Sequence, residues 1–145
     1  MIIRHNENYK WDNIPILAYK EDTTCFKNIT RQVLLDGAPE LPCQLRYFEI
    51  APGGYSTLEQ HEHVHFVVIF RGGGKALLGK EVYDVQEKDV IEIPSFAWHQ
   101  FQATFDSPLG FLCLVNIERD RPRLPTEEDL NLLRQDSDIA AFIKS

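Results

Sequence analysis

Turn-forming residues recur at short intervals along this chain, at Asp36-Gly37, Pro52-Gly53-Gly54, Gly72-Gly73-Gly74, Gly79-Lys80 and Asp106-Ser107-Pro108. Glycine supplies positive φ and proline fixes φ while removing an amide donor, so both interrupt regular elements. Between them lie short runs rich in apolar, β-branched and aromatic residues, at 45–50, 57–70, 76–78, 82–85, 90–93, 100–103 and 111–117. Segments of that kind predict strands. No helical-period stretch separates them, so a βαβ plan is excluded and an all-β sandwich or barrel is expected.

Only the C-terminus reads as helix. Thr126 is a good N-cap, and Glu127, Glu128 and Asp129 fill the first turn, where the helix dipole favours negative charge. Leu130, Leu132 and Leu133 supply an apolar stripe, with a second short one at Ile139, Ala140 and Phe142. Residues 119–123, with Pro122 and Pro125 nearby, read as a linker to this helix.

The net charge of −7, without a basic cluster, argues against nucleic acid or an anionic membrane as the main partner. No apolar run approaches membrane-spanning length and the first residues lack a signal-peptide core, so a cytoplasmic location is expected. The three cysteines are widely spaced and form no C-x-x-C pair. In a reducing compartment they read as small apolar residues rather than a disulfide framework, and they are left out of the chemistry. Gly74-x4-Gly79-Lys80 imitates part of a phosphate-binding loop, but Glu81 stands where Ser or Thr should follow, and the next residues are strand-like.

Chemistry concentrates in the histidines. Four of the five fall at positions 61, 63, 65 and 99, with Glu59 one alternate step before the first. On a strand, residues two apart share a face, so Glu59, His61, His63 and His65 would form one ladder. Burying several unpaired imidazoles costs about 1–3 kcal/mol each, and a metal ion relieves that cost. Imidazole and carboxylate together suit zinc, iron, manganese, nickel or copper. His99 opens a strand after Pro94, sharing a face with Phe101 and Ala103, while Gln100 and Gln102 take the other.

The pattern Gly54-x6-His61-x-His63-x-His65-x6-Gly72, followed by Asp89-x3-Ile93-Pro94-x4-His99-x-Phe101, resembles the two motifs of the cupin superfamily. The resemblance spans residues 45–117 and implies a small single-domain cupin, an antiparallel jelly-roll β-barrel around one divalent transition metal. On that plan residues 1–40 are N-terminal strands or an arm, 41–118 the barrel core, and 119–145 the linker and C-terminal helix. Two ligand sets are implied. One is Glu59, His61, His65 and His99, with His63 beside them; the other replaces Glu59 by His63. Lys88 and Phe96 stand where the second motif usually has glycine.

On the strand before Pro52, Arg46 and Phe48 share one face. If that face lines the barrel, Arg46 can hold an anionic substrate by paired hydrogen bonds. Phe48 and Phe101 are the expected apolar contacts, and Phe96 and Trp98 could wall the same pocket. The expected function is a metal-dependent enzyme of dioxygenase or isomerase type acting on a small polar metabolite. A non-catalytic, metal-dependent small-molecule sensor is the alternative, and a structural barrel with vestigial histidines a third. The outward faces of Phe66, Val68 and Phe70 need cover, which a homodimer would provide.

Overall fold

The computed structural model describes residues 1–20 and 25–145. Eight strands and two short helices follow one another: β1 Leu17–Ala18, β2 Lys27–Leu35, β3 Cys43–Tyr55, β4 His65–Leu78, β5 Glu81–Gln86, β6 Val90–Ile93, β7 His99–Ala103, β8 Leu109–Asn116, α1 Glu127–Leu133 and α2 Ser137–Phe142. All strand pairings are antiparallel, in the order β1-β2-β3-β7-β4-β5, with β6 on β4 and β8 between β3 and β4. Closing β8 against both β3 and β4 makes the sheet barrel-like, as expected of a jelly roll.

Two of the glycine-rich runs read as turns lie inside strands. β4 continues through Gly72-Gly73-Gly74, and β3 through Pro52-Gly53-Gly54. Both strands change partners there. From Phe66 to Gly72, β4 pairs with β8; from Gly74 to Leu78 it pairs with β7. Likewise β3 pairs with β8 up to Ile50, then with β7 at Tyr55. A strand turning a barrel corner brings its backbone close to other chain segments, and glycine permits the approach. A Cβ on Gly72 (φ +64°) would sit 1.9 Å from the Pro108 carbonyl oxygen, and one on Gly74 2.0 Å from that of Gln102. Gly79-Lys80, by contrast, is a true two-residue hairpin, closing Leu78 against Glu81.

Lys88 and Phe96 adopt positive φ, 76° and 61°. The backbone at these two positions therefore has the left-handed conformation that glycine adopts at least cost, although neither residue is glycine.

Alternation along the strands sorts side chains inside and out. Val67 and Ile69 are buried while Phe66, Val68 and Phe70 face outward. The barrel core gathers Phe48, Ile50, Ile69, Phe101, Leu109 and Phe111 among others. A second cluster joins Leu58 and Leu77 to Leu130, Leu133, Ile139 and Phe142, so the two helices cover the outer side of the wall that holds β4 and β7. Thr126 caps α1 in a reciprocal capping box with Asp129. Among the described residues no helix is long and apolar enough to cross a membrane.

Candidate metal centre

β7 delivers the first imidazole. His99 and Phe101 face a cavity in the barrel, whereas Gln100 and Gln102 reach the opposite way to the carbonyls of Lys144 and Phe142. The other histidines come from the β3–β4 connection and the start of β4. Only His65 lies on a strand; His61 and His63 precede it in a bend, which corrects the single-strand ladder.

Hydrogen bonding explains why the bend still places the rings together. Glu59 and His99 exchange backbone bonds of 3.2 and 3.0 Å, Gln60 and Arg123 bonds of 3.1 and 2.7 Å, and the Phe96 amide donates to the His61 carbonyl at 2.8 Å. The Asp120 carboxylate accepts from the amides of Glu62 and His63 at 2.8 and 3.0 Å. Part of the stretch read as a linker thus clamps the histidine-bearing loop. The rings of His61 and His63 stack at 3.7 Å, and those of His61 and His65 at 4.4 Å.

One possible ligand atom from each of His61, His65 and His99 lies within 4.8 Å of the others. His61 Nδ1 is 2.7 Å from the His63 carbonyl, and His99 Nδ1 is 2.9 Å from that of Ala97. A carbonyl only accepts, so both Nδ1 atoms carry the hydrogen, and each neutral ring keeps its lone pair on Nε2. His61 Nε2 is buried and has no hydrogen-bond partner. That orphan, in a cluster of ligand atoms, is what a metal ion would satisfy, so the residues fit one.

The electrostatics agree. Burial, reinforced by His99 and His63, lowers the His61 pKa from 6.5 to about 4. Burial pushes His65 far below its ordinary value, and lowers His99 despite the nearby Glu59 carboxylate. All three rings are held neutral, the form that binds metal.

Glu59 and His63 adjoin this trio. The Glu59 carboxylate pairs with Lys20 and stands 3.9 Å from His99 Nε2. His63 Nε2 is 2.9 Å from His65 Nε2, while its Nδ1 contacts Asp120 at 2.6 Å.

The cavity, of about 630 Å³, is bordered by His65 and His99 and by Arg46, Phe48, Phe101 and Cys113. Arg46 is buried, with its guanidinium 4.9 Å from the centre of the Phe48 ring. Its Nη2 lies 3.4 Å from Cys113 Sγ, which is in turn 3.5 Å from His65 Nδ1. The thiol set aside in the sequence therefore stands between the arginine and the histidines. Burial pushes its pKa up, against the pull of Arg46. Its signal was the register: Cys113 opposes Arg46 across β3 and β8. Two aromatic residues go elsewhere. Trp98 packs toward the helices with Arg123 over its ring, and Phe96 is exposed.

Comparison with known proteins agrees with this architecture. The Cupin domain family matches residues 46–115. A cupin 2 conserved barrel domain protein from Rhodopseudomonas palustris is 45% identical and superposes with a TM-score of 0.94 over 100% of both chains. The chain belongs to the cupin family. This cupin is also 52% identical over 136 residues to 1-methylthio-D-xylulose 5-phosphate methylsulfurylase of Rhodospirillum rubrum, covering 93% of this chain and 86% of that protein. A cupin-2 domain crystal structure from Rhodospirillum rubrum matches with 51% identity and a TM-score of 0.87, over 93% of this chain and 90% of that one.

Proposed function

We propose that this cupin is a metal-dependent enzyme acting on a small phosphorylated ketose that carries a methylthio group. The observation that carries the reading is the meeting of a neutral histidine cluster and a thiol on one cavity, in a chain 52% identical to a methylsulfurylase. His61, His65 and His99 would hold one divalent transition metal, with Glu59 or His63 completing the donor set. Iron, manganese, nickel, zinc and copper all suit these donors. Bound there, the ion would supply Lewis acidity toward a carbonyl oxygen.

The chain's own groups account for the rest. Arg46 is placed to hydrogen-bond an anionic oxygen, and Phe48 and Phe101 to pack against the carbon skeleton. Cys113 is the sulfur nucleophile that the cavity offers. Its Sγ bonds to the methylthio sulfur as the bond from that sulfur to the sugar carbon breaks. The carbon keeps the electron pair and takes up one proton, balancing the one the thiol gives up. The products are a methyl disulfide on Cys113 and a deoxy ketose phosphate. A second thiol from outside the chain would restore Cys113 by exchange.

The test is incubation of tag-free, metal-analysed protein with 1-methylthio-D-xylulose 5-phosphate and a small thiol. The expected results are near one metal per chain, formation of the deoxy sugar phosphate, and a methylthio adduct on Cys113 when the small thiol is omitted. Absence of turnover with every candidate metal would overturn the reading. Dioxygenase or isomerase action predicts instead dioxygen uptake or a rearranged sugar that keeps its sulfur, and the named relative favours sulfur transfer over both. A homodimer covering Phe66, Val68 and Phe70, which are 53%, 37% and 40% exposed, is part of the proposal. Light scattering that showed a monomer at micromolar concentration would remove it.

A further inference from the structure

The cavity that holds the histidines has a second chemical character on its solvent side. Arg31, Arg46, Arg119 and Arg121 all border it, in a chain whose net charge is −7. Lys20 also lines it, but its charge is met by Glu59. None of the four arginines forms an ion pair with a carboxylate among the described residues. Like charges gathered in a concave, partly desolvated place repel one another, and proteins seldom keep such a group without an anion to receive.

Arg31, Arg46 and Arg119 are each anchored by part of the guanidinium fork. Arg31 donates through Nε to the Ala18 carbonyl at 3.0 Å. Arg119 donates through Nη1 to the carbonyls of Asn116 and Ile117, at 2.8 and 3.2 Å. Arg46 contacts Cys113 Sγ through Nη2, while its Nε is buried without a partner and the residue is only 9% exposed. A fork pinned on one side and open on the other is preorganised to donate to a tetrahedral oxyanion, because little side-chain freedom remains to be lost. Partial desolvation and the neighbouring Arg46 also lower the Arg119 pKa, so the two guanidinium groups sense one another.

We propose that Arg46, Arg119, Arg31 and Arg121 form a phosphate-monoester subsite, a funnel that grips the phosphorylated end of the substrate and presents the other end to Cys113 and the histidine cluster. The spacing supports this: Arg46 and His65 both contact the Cys113 thiol, at 3.4 and 3.5 Å. Arg119 and Arg121 are exposed at the rim and Arg46 is buried inside. The subsite rests on the sugar-phosphate reading for its natural ligand, but its existence can be measured without turnover.

The experiment is calorimetric titration of the purified protein with xylulose 5-phosphate and, separately, with unphosphorylated xylulose. In the open-chain form both ketoses present the same C2 carbonyl and the same C1, C3 and C4 hydroxyls, and the phosphate on O5 is the difference tested. The phosphorylated sugar should bind at least about tenfold tighter, an advantage that falls as salt is raised. Arg119→Gln, at the exposed rim where folding is not at stake, should remove most of that advantage, and Arg119→Lys should restore part of it. Arg46→Met should do the same if it folds. Inorganic phosphate should compete with xylulose 5-phosphate in the parent protein and less in Arg119→Gln.

Equal binding of the two sugars, including no binding of either at millimolar concentration, would overturn the subsite. So would a phosphate advantage that Arg119→Gln leaves unchanged. Preserved phosphate selectivity without turnover of the methylthio sugar would instead keep the subsite and discard the proposed reaction.

Discussion

The two faces of β7 bury polar side chains in opposite ways. On the face toward the C-terminal helices, Gln100 is fully buried and its amide is fully used: Nε2 donates to the Ser56 and Lys144 carbonyls at 2.8 and 2.7 Å, and Oε1 accepts from the Lys144 amide at 2.9 Å. On the side of the histidine cluster and the cavity, which β7 reaches through His99, His61 Nε2 from the β3–β4 connection and Arg46 Nε from β3 are buried and have no partner. Buried polar groups are ordinarily satisfied, because leaving one bare costs about 1–3 kcal/mol. A closed hydrogen-bond account marks a face built to hold the fold; open valences on its reverse mark a face built to bind something.

The sharpest way to break this comparison is to remove one group from each face. His61→Ala should weaken metal binding by roughly 100-fold or more, since a three-imidazole cluster becomes a pair. Elemental analysis of tag-free protein after dialysis would read this directly. Gln100→Ala should do the reverse, keeping the metal while costing about 2–4 kcal/mol of folding stability from backbone groups left unpaired. Chemical denaturation in chelator would measure it. Loss of metal in Gln100→Ala comparable to that in His61→Ala would show that the faces are not separable.

Acid should probe the same asymmetry with a smaller effect. In metal-free protein the folded-state pKa of His61 is lowered from 6.5 to about 4. The unfolded chain then binds more protons between those values, so stability is full above about pH 6.5 and declines as pH falls toward 4. Burial depresses His65 and His99 too, which extends the decline further into acid. Denaturant midpoints measured from pH 8 to pH 4 should fall in this window, less steeply in His61→Ala and unchanged in slope in Gln100→Ala. A flat profile in the parent protein would show that the imidazoles are better solvated than their burial implies.

How much of this was legible beforehand follows from the range of the interactions involved. Most strand-forming runs and the Thr126 cap are local and read correctly from side-chain type and spacing, although β2 (Lys27–Leu35) was not among those runs and the run at 57–70 becomes a strand only from His65. Gly72 and Gly74 misled because glycine serves both turns and close approaches. Only the Pro108 and Gln102 carbonyls, brought in by tertiary folding, tell the two uses apart. His61 and His63 were assigned to a strand for a related reason: the clamp that bends their segment comes from Asp120 and Arg123, about sixty residues later in the chain. Cys113 looked like a small hydrophobe within its own strand, and becomes chemical only when β8 is laid against Arg46 on β3. The arginine funnel was invisible as a cluster, because its members are scattered from Arg31 to Arg121.

The smallest effect should come from the outermost layer of the hydrogen-bonded face. Thr126 Oγ1 accepts from the Asp129 amide at 3.2 Å, and the Asp129 carboxylate in turn accepts from the Thr126 amide at 2.8 Å. Arg123 holds the same carboxylate at 2.6 Å, through the segment that also bonds Gln60. Thr126→Ala removes the cap but leaves Asp129 on Arg123, so the loss should be about 1 kcal/mol. α1 contributes Leu130 and Leu133 to the cluster beneath it, and fraying there should lower the melting temperature by a few degrees. Metal content should not change, since no atom of the cap touches the cavity. A drop in metal with Thr126→Ala would mean that the segment around Arg123 carries the cap's state to the histidine loop, making the two faces one cooperative unit.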